Sequence, residues 1–237
     1  MRPGLRLTDV NCVEGTPPPA LSGYDGAVFA GSPIQMHENA PEVRSAARFM
    51  EAVYEAGLPS FGSCAGLQIA VVAAGGSVRP RSETMEAAFA RGVWRTPDGA
   101  DHPLLADRPG AWDAPAMHAS MVDLMPDGGT VLARTRATPV QAAEIRRGAG
   151  TFWGVQYHPE LSLAEIAAAL RASADDLVGQ GLAGDAGDVG RYADVLDGLD
   201  ADPDRRDLAF RLGLDEQTTR ADDRRREIEN FLRMLGG

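Results

Sequence analysis

Up to about residue 160 the chain alternates short apolar runs with turn residues, and beyond it the apolar positions fall at helical spacing. Ala56 to Phe61 reads as a buried strand, and the small, apolar run Leu67 to Ala74 as a helix packed in the core. Phe152 to Tyr157 reads as a second buried strand. Arg91 to Trp94, Thr130 to Arg134 and Pro139 to Ile145 are further strands, each bounded by turn residues. Leu5 to Val10 is expected to form another, followed by the proline-rich link Thr16 to Pro19. Helices are predicted over Leu163 to Leu170, Tyr192 to Leu199 and Asp204 to Leu212. On the last helix Ile228, Phe231, Leu232 and Leu235 recur at i, i+3, i+4 and i+7, a stripe that can pack on the rest of the chain or on a second subunit. The charged residues from Arg220 to Glu229 are expected to face solvent. Between these helices Gly179 to Gly190 is rich in glycine and aspartate. No strand precedes it and its aspartates would repel a phosphate, so it is read as a loop. Trp94, Trp112 and Trp153 are read as packing residues.

The junction of the first strand–helix pair carries the candidate chemistry, Gly62-Ser63-Cys64-Ala65-Gly66. A sharp strand-to-helix turn needs glycines where backbones come too close for side chains, and it holds its central residue in a strained conformation. Cys64 would sit at a helix N-terminus, where free N–H groups and the helix dipole favour a thiolate. Glycine-rich turns also surround unreactive cysteines, so the turn requires a partner. His158-Pro159-Glu160 supplies one, at the C-terminal end of the strand Phe152 to Tyr157, where open α/β sheets place their ligands. Pro159 holds His158 extended, and an extended backbone turns residues two apart to the same side. Glu160 can then orient the His158 ring as the third member of a nucleophile, base and orienter set.

Composition narrows the choices. A chain of 237 residues with 44% hydrophobic residues can bury a substantial core. The net charge of −11 argues against general nucleic-acid binding, which depends on a basic footprint. Two cysteines without a framework point to a reducing compartment, and no leader or long apolar run is visible, so a cytoplasmic protein off the membrane is expected. His37, His102, His118 and His158 are scattered without metal-ligand spacing, and Cys12 has no CxxC partner.

In order and spacing, the Cys64 elbow and the His158-Pro159-Glu160 triplet resemble the class I glutamine amidotransferases, over roughly Gly23 to Leu170. Within that family the motifs are most similar to the amidotransferase half of GMP synthase. Ala27 to Pro33 resembles the family's strand and G-G-P oxyanion loop, with Ser32 in place of the second glycine. Gln68 matches the glutamine that helps bind the amino-acid end of the substrate, and Pro115 to Ser120 resembles the segment that usually ends H-G-D. The resemblance implies an α/β fold, a flavodoxin-like open sheet, mostly parallel and flanked by helices, with a helical C-terminal extension. It divides the chain into a catalytic domain at 1–178, without the family's usual first strand and helix, and an extension at 179–237.

It further implies Cys64, His158 and Glu160 as catalytic, Ser32 and Ala65 as the oxyanion hole, and Gly31, Gln68, His118, Ala119 and Ser120 as substrate-binding. Neither metal nor cofactor is called for. Glutamine would be opened through a γ-glutamyl thioester on Cys64, and the ammonia passed to a separate synthetase or acceptor protein. The alternative is a hydrolase of other γ-glutamyl compounds, because Ser120 departs from H-G-D in the segment that recognises substrate. A third reading is a binding protein on the same fold. A homo-oligomer joined through the C-terminal helices is a further expectation.

Overall fold

The computed structural model describes residues 4–38, 40–82 and 84–236. Its first elements are β1 (Ala27–Phe29), α1 (Pro41–Glu55), β2 (Ser60–Ser63) and α2 (Ala65–Ala73). Seven strands follow: β3 (Ser77–Pro80), β4 (Glu86–Arg95), β5 (Ala111–His118), β6 (Ser120–Leu124), β7 (Gly129–Arg134), β8 (Ala142–Arg147) and β9 (Gly150–Val155). The remainder is helical: α3 (Leu163–Ala172), α4 (Ala174–Gly179), α5 (Ala186–Ala201), α6 (Arg206–Leu212), α7 (Glu216–Thr219), α8 (Ala221–Arg224) and α9 (Arg226–Leu235).

The result is an open α/β sheet flanked by helices. Its strand order is β1-β2-β9-β8-β7-β4-β5, with β3 and β6 forming a separate two-stranded ribbon. The parallel part is β1-β2-β9, and from β9 outward to β5 every ladder is antiparallel. The expectation of parallel strands therefore holds for the part that carries the candidate site. All four residues of β2 are buried, as a strand with a neighbour on each side and helices across its faces must be.

Alternation along β9 sends Phe152 and Trp153 to opposite faces. Phe152 joins Val43, Phe49, Val53, Leu67 and Ile69, the cluster that seats α1 and α2. Trp153 joins Phe61, Val155 and Phe231, the cluster that seats α9. A third cluster packs α3 and α5 on Ala88 and Phe89 of β4. Local signals agree with these placements. Helix α1 begins with Pro41 and Glu42, and Ser162 and Glu165 close a capping box on α3.

Several expectations change. Leu5 to Val10 is not a strand; it makes no ladder, Leu5 and Leu7 stay exposed, and an extended segment without a paired neighbour has nothing to hold it in a sheet. β1 is paired on one side only among the described residues, and Val28 is 65% exposed. The glycine- and aspartate-rich segment is a loop only in part, because Ala186 to Gly190 form the first turn of α5, capped by the Asp185 side chain on the Asp188 N–H. Trp112 and Trp153 are core residues, whereas Trp94 is 39% exposed. The charged run near the C-terminus is not all solvated, since Arg224 and Glu227 are buried. The apolar stripe of α9 packs on this chain's own sheet, with Phe231 against Phe61 and Trp153 at 5.6 and 6.5 Å between ring centroids. Of the two packings open to the stripe, the one on the rest of the chain is found.

Candidate active site

Cys64 lies where β2 gives way to α2, with φ 51° and ψ −107°, a conformation that side chains other than glycine rarely adopt. Its glycine neighbours are required by close approach. A Cβ on Gly62 would lie 2.8 Å from the carbonyl carbon of Gly66, and one on Gly66 would lie 2.4 Å from the Phe29 oxygen on β1. The turn is thus wedged between α2 and the neighbouring strand.

The parallel register of β2 and β9 brings in the partner. Ser63 stands opposite Val155, and the Cys64 N–H donates to the Val155 carbonyl at 2.8 Å. Three residues beyond Val155, His158 is fixed by its own N–H on the Pro115 carbonyl at 2.7 Å. Its Nδ1 lies 2.7 Å from Glu160 Oε1, and its ring is close enough to Cys64 for the two to interact electrostatically. Burial opposes charge on this ring, yet its interactions with Cys64 and with the Glu160 carboxylate, which accepts from the ring, outweigh burial and push its pKa up to about 10. The ring is thus biased toward its protonated form, beside a cysteine and a carboxylate.

The other residues singled out from sequence fall into three groups. Gly31 lies against the His158 ring, since a Cβ there would be 2.6 Å from His158 Cε1, and Ser32, half-buried, follows it. Ala65 opens α2, whose first turn leaves N–H groups without intrahelical acceptors. Gln68 is buried and fully engaged: its Nε2 donates to the Ser120 carbonyl and to Gln156 Oε1, both at 3.1 Å, and its Oε1 accepts from Ser120 Oγ at 3.0 Å. Gln68 and Ser120 therefore hold each other. His118 is turned to Glu86, with Nε2 2.7 Å from Oε2, and its Nδ1 lies 2.9 Å from the Ser120 carbonyl. Although burial opposes it, hydrogen bonds from His118 and Gln141 and the charge of Arg81 hold the Glu86 carboxyl below the usual carboxylate range. Ala119 is exposed, and its carbonyl accepts from the Arg81 N–H.

Two neighbours of the site were not found from sequence. Gln156 Nε2 reaches Cys64 Sγ at 3.8 Å, and Ser63 Oγ donates to Glu160 Oε1 at 2.9 Å. A hydroxyl in an otherwise buried strand was the available signal for Ser63. For Gln156 the strand register was needed. Among the described residues, no group of three His, Cys, Asp or Glu is arranged to hold a metal ion, and no helix is long and apolar enough to cross a membrane.

A strained cysteine at a strand-to-helix turn, facing a histidine and carboxylate from the adjacent parallel strand, defines the class. The chain belongs to the glutamine amidotransferase class-I family, whose model matches residues 7–173. Among particular relatives, a γ-glutamyl-L-1-hydroxyisopropylamide hydrolase of a Pseudomonas species is 42% identical over 164 residues, which are 68% of this chain and 55% of that protein. The glutamine-hydrolysing GMP synthase of Pseudomonas savastanoi is 34% identical over 143 residues, 58% of this chain and 25% of the synthase. This chain thus spans about half the length of the first relative and a quarter of the second. A crystal structure of a glutamine amidotransferase from Thermotoga maritima superposes with a TM-score of 0.61 over 92% of this chain and 81% of that one, at 18% identity, and shares its fold.

Proposed function

We propose that the protein hydrolyses the amide bond of a γ-glutamyl compound through a thioester on Cys64. The observation that carries this reading is the line Cys64–His158–Glu160, in which one imidazole hydrogen-bonds the carboxylate and couples to the cysteine at the strained turn. Cys64 Sγ attacks the γ-carbonyl carbon, and the N–H groups of Ser32 and Ala65 receive the oxyanion, each contributing roughly 3–4 kcal/mol as such donors do elsewhere. The C–N bond breaks as His158 passes its proton to the departing nitrogen. Water then attacks the thioester carbonyl, His158 takes its proton, and glutamate leaves as the sulfur is freed. Glu160 keeps the ring oriented throughout.

The leaving group is proposed to be a substituted amine. The relative named as a hydrolase of a γ-glutamyl hydroxyalkylamide supports this choice, as does Ser120, which turns its hydroxyl to Gln68 where the family's usual segment ends in aspartate. The identity to GMP synthases favours a second reading, glutamine as substrate and ammonia passed to a partner synthetase. Purified protein should be offered glutamine and a panel of γ-glutamyl alkylamides and peptides, with amine, ammonia and glutamate followed separately. Release of glutamate with the free amine, lost in Cys64→Ala, is the expected result. Ammonia from glutamine alone would select the second reading, and turnover that survives Cys64→Ala would overturn both.

A further inference from the structure

The carboxylate behind His158 is held from two sides. Glu160 Oε1 accepts from His158 Nδ1 at 2.7 Å and from Ser63 Oγ at 2.9 Å, while Oε2 is buried with no hydrogen-bond partner among the described residues. Ser63 is itself buried and is the residue immediately before the nucleophile, on the last position of β2. The strand pairing that brings His158 to Cys64 therefore also brings Ser63 beneath Glu160. The side chain of Glu160 is 34% exposed, so water lies within reach of the carboxylate if it turns away from Ser63.

We infer that Ser63 is a positioning residue for the proposed reaction: its hydroxyl anchors Glu160 Oε1 beneath His158 and so fixes the ring that serves Cys64. This rests on the reading of Cys64, His158 and Glu160 as the reacting set. Without the hydroxyl, the carboxylate loses one of its two donors and has an unpartnered oxygen to satisfy. Rotation toward solvent then removes the charge partner from the imidazole. Two consequences separate this role from simple packing. The ring should lose its proton at lower pH, and the chemical step should slow with little change in substrate affinity, because the anchor lies on the far side of the ring from the sulfur.

The test compares Ser63→Ala, Ser63→Thr and Ser63→Val in the full chain. Threonine and valine match each other in volume and differ in the hydroxyl. The His158 ring is titrated by NMR in each variant, and kcat and KM are measured on whichever γ-glutamyl amide the wild type cleaves. In Ser63→Ala and Ser63→Val the ring titration should move to lower pH and kcat should fall roughly ten- to a hundredfold, as the loss of a hydrogen bond to a charged group corresponds to, with KM within about twofold. Ser63→Thr should recover most of both. An unchanged ring titration and an unchanged kcat in a folded Ser63→Ala would overturn the inference, as would equal effects of threonine and valine alongside a near-normal alanine variant. A wild type that cleaves no γ-glutamyl amide would count against the proposed reaction, while the ring titration would still decide the role of Ser63.

Discussion

Removing Glu227 should cost far more than replacing it together with its partner. Its carboxylate is fully buried and takes a two-point ion pair from Arg108, Nε to Oε1 at 2.6 Å and Nη2 to Oε2 at 2.7 Å, with side-chain exposures of 0% and 1%. Tyr157 Oη donates to the same Oε1 at 2.8 Å, and Arg108 also reaches Gln217 Oε1 and the Arg224 carbonyl. Glu227→Leu leaves a buried guanidinium without its counter-charge and the Tyr157 hydroxyl without its acceptor. The expected loss is about 3–5 kcal/mol, and Arg108→Met should cost a similar amount by orphaning the carboxylate.

The double variant removes both desolvated charges, so what remains is the unpartnered Tyr157 hydroxyl, roughly 1–3 kcal/mol, together with the Gln217 and Arg224 acceptors that Arg108 served. Adding Tyr157→Phe should bring stability back toward the wild type. Urea unfolding of the four variants gives the coupling energy directly, provided that the urea dependence stays constant. Because Tyr157 precedes His158, the single variants should also lose activity. A double variant that costs the sum of the singles, or singles that cost less than about 1 kcal/mol, would refute the argument that this buried pair locks α9 to the loop before β5.

Three further outcomes are expected. The raised pKa of His158, about 10 against 6.5 for a free histidine, means that its contribution to stability is fully present below pH 6.5 and is lost as pH rises through about 10. The stability gap between wild type and His158→Gln should therefore close between those values in urea titrations, and a gap that widens would contradict it. Ala88 sits at φ 65° on β4, so Ala88→Gly should relieve left-handed strain for a net gain of up to about 1 kcal/mol, read as a rise in Tm; a fall would show that the methyl group contributes more than the strain costs. Gly31→Ala places a Cβ 2.6 Å from His158 Cε1 and should displace the ring, lowering kcat by as much as about a hundredfold with little change in Tm. Unchanged turnover in that variant would mean that the loop, not the ring, gives way.

The line from Cys64 to His158 and Glu160 was legible because each part is a local signal: glycines that permit a strained turn, a strand that ends in histidine, and a proline that keeps two residues on one side. The same holds for β2, α2, β9 and α3, whose apolar runs and caps act over a few residues. What the sequence could not show depends on contacts between distant segments. Ser63 meets Glu160 across 97 positions and Gln156 meets Cys64 across 92, and only the register of two parallel strands creates those pairs. Leu5 to Val10 has an apolar content suited to a strand, yet a strand also needs a neighbour, which no residue pattern guarantees. The resemblance implies Gln68 and His118 as substrate-binding, whereas their saturation by Ser120, Gln156 and Glu86 was decided by packing. Glu227 shows the limit most clearly: in a charged run it reads as solvated, and only a buried arginine from the loop before β5 makes its interior position stable. The chain by itself determined which groups are candidates for reaction. The tertiary structure decided which of those candidates are engaged by neighbours, because hydrogen bonding and burial are properties of neighbours rather than of sequence.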